Sequence, residues 1–477
     1  AGAGGLFAGI AGAVSVQLLD ITTTAAIGDA TINGDNTGAN SAQDVVVVAR
    51  DSTSVAAIDG GLAIGAVGLA GAVDVGVLRN TTAASIANGA TVNGKDRVEV
   101  AGLQQTDVDS TVVSAAGGIV GIAAGVSVYS IGDGIDPNSK GNAELQSGGS
   151  NPGDYAQGQL GNSTVNDLLA SSDDTRINDI GTRMAAARAG VNVASLNTQA
   201  STPAGTSASI GNAAVTAGGA VTVASLDTLG TDATTGAVGV GLGGLGAGVG
   251  VVVVDTTNTA QVTGSSTLGA GSLAVTATTT HTLDTHSLAA AFGALGAEAS
   301  IAILIDNATT TASIDGMTIA TSGAVVVLAT DQRTANTKAD GASFGGVAVG
   351  VSAAAVNLGG SVTASLHNAS IGTSGSRAGS VTVSASSRNS AKTSALAASG
   401  GLGLAAQGSD AEANTTTLVS ALADGATIYA SGAVSIAGSA AGRASADATG
   451  FALAGIVAAG GSFAHANVAE QVATTVG

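Results

Sequence analysis

One phrase of about fifty residues returns along the whole chain, and this self-similarity restricts the fold more than any other feature. It reads as a Gly-pair apolar block, an alternating V-x-V stretch, T-T-x-A-x-I, G-A-T-I/V, a short polar turn and a closing V-x-V-x-A. The clearest copy is GGLAIGAVGLAGAVDVGVLRNTTAASIANGATVNGKDRVEVA, from Gly60 to Ala101. The first copy contains GGLFAGIAGAVSV from Gly4, TTTAAIGDATI from Thr22 and VVVVA ending at Ala49. Later copies close at Ala101, Ala224, Ala277, Ala329, Ala385 and Ala437. Neighbouring endings lie about 52 to 56 residues apart, except that the step from Ala101 to Ala224 is about 70 residues too long.

Each phrase reads as strand and turn. V-x-V alternation marks half-buried strands, and Thr beside Ala and Ile suits a pleated surface. Asn93-Gly94, Asp315-Gly316, Ser322-Gly323 and Ser431-Gly432 mark turns. A unit this poor in bulky side chains cannot bury its own face and must stack on its neighbours. The chain has only 2% aromatic residues and no Trp, against 73 Gly. Its core must therefore be built from Ala, Val, Ile and Leu, which gives thin layers. The expected fold is all-β, a repetitive parallel β-solenoid (β-helix) rod over residues 1–131 and 206–477, with a loop and helix insertion at 132–205. With each repeat winding two or three coils of about 18 residues, the rod would be on the order of 100 Å long.

Composition also narrows the function classes. Hydrophobic residues make up 45% of the chain, which excludes disorder. A net charge of −19 without a basic stripe argues against nucleic acid as a partner. The absence of Cys excludes disulfides and thiolate metal sites. No basic n-region precedes the opening small residues, so no signal peptide is read there. Gly236 to Val254 is uncharged and close to spanning length, but its apolar residues alternate with Gly, as in a strand. No membrane span is expected. Phe7, Phe344 and Phe451 fall in Gly-pair blocks, and Phe292 lies 52 residues before Phe344. Core plugs are favoured over an exposed ladder for lateral contact.

The insertion holds all three prolines, Pro137, Pro152 and Pro203, together with Lys140, Arg176, Arg183 and Arg188. It opens with the loop chemistry GDGIDPNSKGN. A helix capped by Asp173 or Asp174 is expected to present Ile177, Ile180, Met184 and Ala187 and to end at Gly190, with a shorter one over Thr164 to Ala170. It serves either as a docking element or as a decoration packed on its own rod.

Catalytic patterns are sparse. Glycoside hydrolysis needs two carboxylates about 5–10 Å apart, whereas Asp74, Asp255 and Asp306 each end or interrupt an apolar strand, like turn acids. His281 and His286 lie in a Thr-rich stretch, His367 and His465 stand alone, and neither H-E-x-x-H nor C-x-x-C occurs. GxGxxG-like strings such as GLGGLGAGVG from Gly241 are chance matches among so many glycines. Calcium is the one metal considered, on Asp133, Asp136 and Asn138, which stand close enough in sequence to share a hard cation. The Asn-x-Ser/Thr sequences at Asn80, Asn307 and Asn414 share the T-T-x-A phrase and read as Asn turns or a stacked Asn/Thr ladder rather than glycan acceptors.

The Gly60 to Ala101 phrase resembles the repeats of filamentous haemagglutinin and leukotoxin-type filamentous adhesins, the large exoproteins of Gram-negative bacteria. The resemblance spans nearly the whole chain outside the insertion and is one of repeat grammar. It implies a β-solenoid shaft at the cell surface or beyond, no catalytic residues and no cofactor, and a role in adhesion, aggregation or biofilm, with a host or cell-surface receptor as a possible partner. Neither end carries a polar capping repeat, so the segment is expected to adjoin further repeats or copies of itself. Two alternatives stand beside the shaft: a self-assembling homopolymeric matrix fibre, and a carbohydrate-active β-helix enzyme.

Overall fold

A computed structural model describes residues 1–132 and 204–477. The helices expected within 132–205 lie outside these residues. The described chain is all-β, and every strand pairing in it is parallel and joins like positions of successive repeats. It is a parallel β-solenoid. Val45 stacks on Val98, Val98 on Val221, Val221 on Leu273, Leu273 on Val325, Val325 on Val381, and Val381 on Val434.

Those steps equal the repeat itself, so each repeat winds one coil rather than two or three. A coil begins with a long outbound strand, such as Val45–Ile64 or Val98–Gly117. It turns sharply at the Gly-pair block and comes back along a return strand, such as Val67–Ile86. A short closing strand, such as Thr91–Gly94, completes the circuit. The return strands form eight layers, beginning in order at Ala8, Val67, Val120, Gly243, Leu295, Val347, Leu404 and Val457. At ~4.8 Å per layer the stack is about 38 Å high, while a twenty-residue strand is about 65 Å long. The coil is therefore flat and broad, and the 100 Å rod is not what this segment builds. The cause lies in the alternation, which runs unbroken from V-x-V into the Gly-rich block and so specifies one long strand in place of several short coils.

The interior has two kinds of packing. At one end of the coil three faces meet around a thick core that includes Val100, Ile210, Val215, Leu268, Ile314 and Ile319. Towards the Gly turn only the outbound and return sheets remain, and the core thins to alanine: Ala63, Ala70, Ala116, Ala123 and Ala237 in the early coils, Ala302, Ala339 and Ala395 in the later ones. Alanine and glycine let two sheets lie closer than valine or leucine would allow. Where one coil needs a bulky residue, the next makes room. Tyr129 is fully buried in the third coil, and any side chain at Gly76 in the coil before it would run into the Tyr129 ring.

The insertion leaves the stack without breaking it. Val67–Ile86 pairs with both Val120–Gly132 and Gly205–Ile210, Leu78 on Ile131 and Thr81 on Gly205. The extra chain thus departs from a bend in the return strand that the fourth coil crosses with the single residue Thr256. Two local expectations shift, one by two residues and one by a single residue. Asn93 and Gly94 end the closing strand, and the turn follows at Lys95 and Asp96. The phrase endings Ala49, Ala277, Ala329 and Ala385 stand in one column, with Ala101, Ala224 and Ala437 one place earlier. The uncharged stretch from Gly236 to Val254 forms the end of one strand, a turn and most of the next, and among the described residues no helix is long and apolar enough to cross a membrane.

The two kinds of packing respond oppositely to size. Ile319→Ala should cost about 2–5 kcal/mol in chemical denaturation, because it leaves a cavity in the thick core. Ala237→Leu, fully buried between the close sheets, should also destabilise, by about 1–3 kcal/mol or more, because nothing there can move aside.

Candidate functional site

Between the thick core and the thin sandwich runs a seam of mostly buried polar side chains, contributed by the second to the seventh of the eight coils. Two inward positions of the outbound strand build it. The first holds Asp51, Gln104, Asp227, Thr279, Asp331 and Ser387 in successive coils, and the second holds Thr53, Thr106, Leu229, His281, Arg333 and Asn389. The facing residues come from the bend in the return strand: Asn80, Thr206, Thr256, Asn258, Asp306, Thr310 and Thr417. Buried polar atoms must find partners or incur a desolvation penalty, and here successive coils supply them. The Asn80 amide lies 3.0 Å from the Thr53 hydroxyl and 3.1 Å from that of Thr106. Thr279 and Thr310 share a 2.7 Å hydrogen bond. The Asn80 amide thus bridges threonines of two successive coils from the facing strand, while its own column places it on Ile21 rather than in an Asn/Thr ladder.

The seam becomes ionic in the middle coils. His281 donates from Nδ1 to the Asp306 carboxylate at 2.9 Å, and its Nε2 lies 3.4 Å from Asp227. Arg333 donates through Nε to Asp331 at 2.9 Å, and through Nη1 to the Asp306 carbonyl and carboxylate at 3.0 and 3.3 Å. Its Nη2 reaches the Gly359 carbonyl and the Thr417 hydroxyl at 2.7 and 2.9 Å. Burial works against a charged His281, but the Asp306 charge and the hydrogen bonds to Asp227 and Asp306 outweigh it and lift the imidazole to about 10. Burial likewise opposes ionisation of Asp306, but His281 and Arg333 overcome it and hold the carboxyl at about 2. Two cations thus face three carboxyls. The surplus falls on Asp331, which burial raises above the usual carboxylate range even with Arg333 beside it.

No family model, curated protein or solved structure matches this chain. What the cluster can do rests on its own geometry. Asp227, His281, Asp306, Asp331 and Arg333 are at most 2% exposed. Apart from Asp331 Oδ1, their nitrogens and oxygens are engaged within the seam, and among the described residues the cluster is interior. Its chemistry is cohesion along the solenoid axis. Among the described residues no group of three or more His, Asp or Glu side chains is disposed to hold a metal ion. The calcium candidates Asp133, Asp136 and Asn138 lie outside the described residues.

Several sequence readings change here. Asp306 ends its strand and accepts from the Ala308 N–H at 3.0 Å, as a turn acid does, but Asp74 lies inside a return strand and is not one. Both are fully buried, and Asp74 accepts hydrogen bonds from Tyr129 at 2.7 Å and Ser110 at 2.5 Å. The Tyr129 hydroxyl is pushed up by burial and by Asp74. His281, read as part of a Thr-rich stretch, joins two acids that lie 54 and 25 residues away in sequence. Arg333 was not singled out at all. A lone Arg in a stretch of alternating small residues was its one visible signal. The phenylalanines are not core plugs. Phe7, Phe292, Phe344 and Phe451 are 85%, 40%, 46% and 60% exposed, and Phe292 stacks on Phe344 at 5.6 Å. The Gly-pair block has no interior wide enough for a ring.

A second buried acid stands apart. Glu298 lies within the thin sandwich, 5% exposed, and among the described residues neither carboxyl oxygen makes a hydrogen bond of ordinary geometry, the Val351 backbone N–H only weakly favouring the charge. It fits because Gly341 and Gly350 in the next coil leave it space. Burial pushes its carboxyl up to about 8.

These shifts fix the pH profile. Asp306 lends stability that is complete above its unfolded value and is lost as pH falls towards about 2. The His281 contribution is complete below its unfolded value and fades as pH rises towards about 10. Glu298 folds best when neutral, so stability declines as pH climbs from its unfolded value through about 8. Urea titrations across pH 3–10 should show that Glu298→Gln removes the decline near pH 8 and is more stable than the parent at pH 9 by a few kcal/mol, at about 1.4 kcal/mol per pKa unit. Arg333→Met should cost about 3–5 kcal/mol at neutral pH, because it leaves buried carboxylates uncompensated.

Proposed function

We propose that the chain is a structural, non-catalytic segment of an extracellular bacterial filament or adhesin shaft, acting in adhesion or in assembly of a biofilm matrix. The observation that carries this reading is the stack of eight coils, each repeat on the next in parallel register, held by a thick core and a polar seam running along the axis. Such a body transmits force and extends reach by adding layers. The repeat grammar shared with filamentous haemagglutinin-type exoproteins supplies the cell-surface setting and a receptor or neighbouring repeats as partners. The carbohydrate-active alternative requires two carboxylates open to a groove. The acids that converge in the middle coils, Asp227, Asp306 and Asp331, are instead interior.

The matrix-fibre alternative draws on the two end coils. Inward apolar side chains at the two ends of the stack, Ile27 and Ile32 at one and Ile428 and Ile436 at the other, pack on the core from one side only and remain half-buried. Among the described residues each of their strands has a partner on one side, and a parallel edge is a template for a further layer.

Electron microscopy of the full chain purified without detergent separates these readings. Discrete blocks about 40 Å by 65 Å fit a shaft segment that is joined covalently to others. Long filaments of that width fit self-assembly. Extraction only with detergent, or cleavage of polysaccharides by the purified chain, would overturn the proposal.

A further inference from the structure

We propose that the narrow edge of the solenoid, where each outbound strand turns back at its Gly-pair block, is a lateral interface for the same edge of a second copy of this chain. The inference does not depend on how coils are added along the axis. At the tip of the turn stand Phe7, Ile119, Leu242, Leu402 and Ile456, each more than half exposed. The stacked Phe292 and Phe344 flank them. In every coil the turn and the three residues on either side contain no Asp, Glu, Lys or Arg. The strip is therefore uncharged and apolar over its full height of about 38 Å, eight layers at ~4.8 Å.

Charge and spacing point to a like copy as the occupant. The chain carries a net charge of −19, and its broad faces show acids to solvent. Asp109 and Asp232 are exposed and stacked on each other in the outbound sheet, and Asp410 and Glu412 point out from the return sheet. Two such molecules repel face to face, and the uncharged edge is where they can meet without opposing like charges. The partner must also match side chains that recur once per layer along the edge. Another edge of this solenoid has that period by construction. A strip of about 38 Å by 10 Å offers about 400 Å² per molecule, roughly half of what a standard stable interface buries on each side. One segment should therefore associate weakly, and the contact strengthens as coils are added, so a longer stack bundles where a short one exchanges.

The chain has no cysteine, so a single introduced one reports on its own surroundings. Leu242 lies in the fourth of eight coils, at mid-height. In an edge-to-edge pair it meets its counterpart at the same level if the copies run parallel, and one layer away if they run antiparallel. In copies stacked end to end the two Leu242 positions lie a full stack height apart, about 38 Å, and no short linker joins them. Leu242→Cys and the control Ile58→Cys, 87% exposed on the broad outbound face, are treated with a short bismaleimide at high protein concentration, and circular dichroism confirms that both variants keep the parent fold. The expected result is a covalent dimer from Leu242→Cys in several-fold excess over Ile58→Cys, increased by sodium sulfate. Equal yields from the two variants, or no dimer from Leu242→Cys at its solubility limit, would overturn the inference. Filaments seen by microscopy without this cross-link would leave the axial reading standing and remove the lateral one.

Discussion

The parallel register between one coil and the next is the constraint from which the rest of the structure follows. Each residue stands on its counterpart of the neighbouring repeat and supports the one after, so a side chain is chosen against its own column before it is chosen against the opposite wall. Backbone hydrogen bonds run along the stack and are satisfied without regard to side-chain size, which frees the interior to vary in thickness. The coil uses that freedom by bringing three faces around valine, leucine and isoleucine at one end and pressing two sheets together on alanine at the other.

Column logic also accounts for the buried charges. An isolated interior carboxylate is strongly disfavoured, but Asp306 reaches His281 beside it and Arg333 in the next layer. A buried ion pair seldom adds net stability over well-packed apolar residues, yet removing one partner is costly. The seam is therefore better understood as a tie between particular coils than as a source of surplus stability. Glu298 shows the same economy of space with the opposite chemistry. It has no charged partner, and burial raises its carboxyl far enough that the neutral acid occupies the gap left by two glycines.

Much of the fold was legible in the sequence because its signal is repetition. The spacing of Phe292 and Phe344 is the structural register, and the excess length between Ala101 and Ala224 is the excursion from the third coil. The number of coils per repeat was not legible. It depends on where strands end, and a run such as Thr276 to Ala291 looks the same whether it bends or continues straight. The placement of the phenylalanines failed for a related reason. Hydrophobicity alone predicts burial, whereas the alanine-lined gap beside Phe344 is too narrow to accept a ring. Of the seam, Asn80 was visible through its recurring phrase, but His281, Asp306 and Arg333 lie on three separate stretches of two adjacent coils and share no local motif.

The irregularity of that seam has a consequence for assembly. Hydrophobic columns alone would tolerate a coil seated one layer out of place, since valine packs on leucine almost as well as on valine. The polar columns would not: a shift by one coil sets Arg333 where His281 belongs and separates each cation from the carboxylates shaped to receive it. In a chain whose repeats are nearly interchangeable, the unlike residues work as addresses that let the nascent solenoid recognise a miscounted turn.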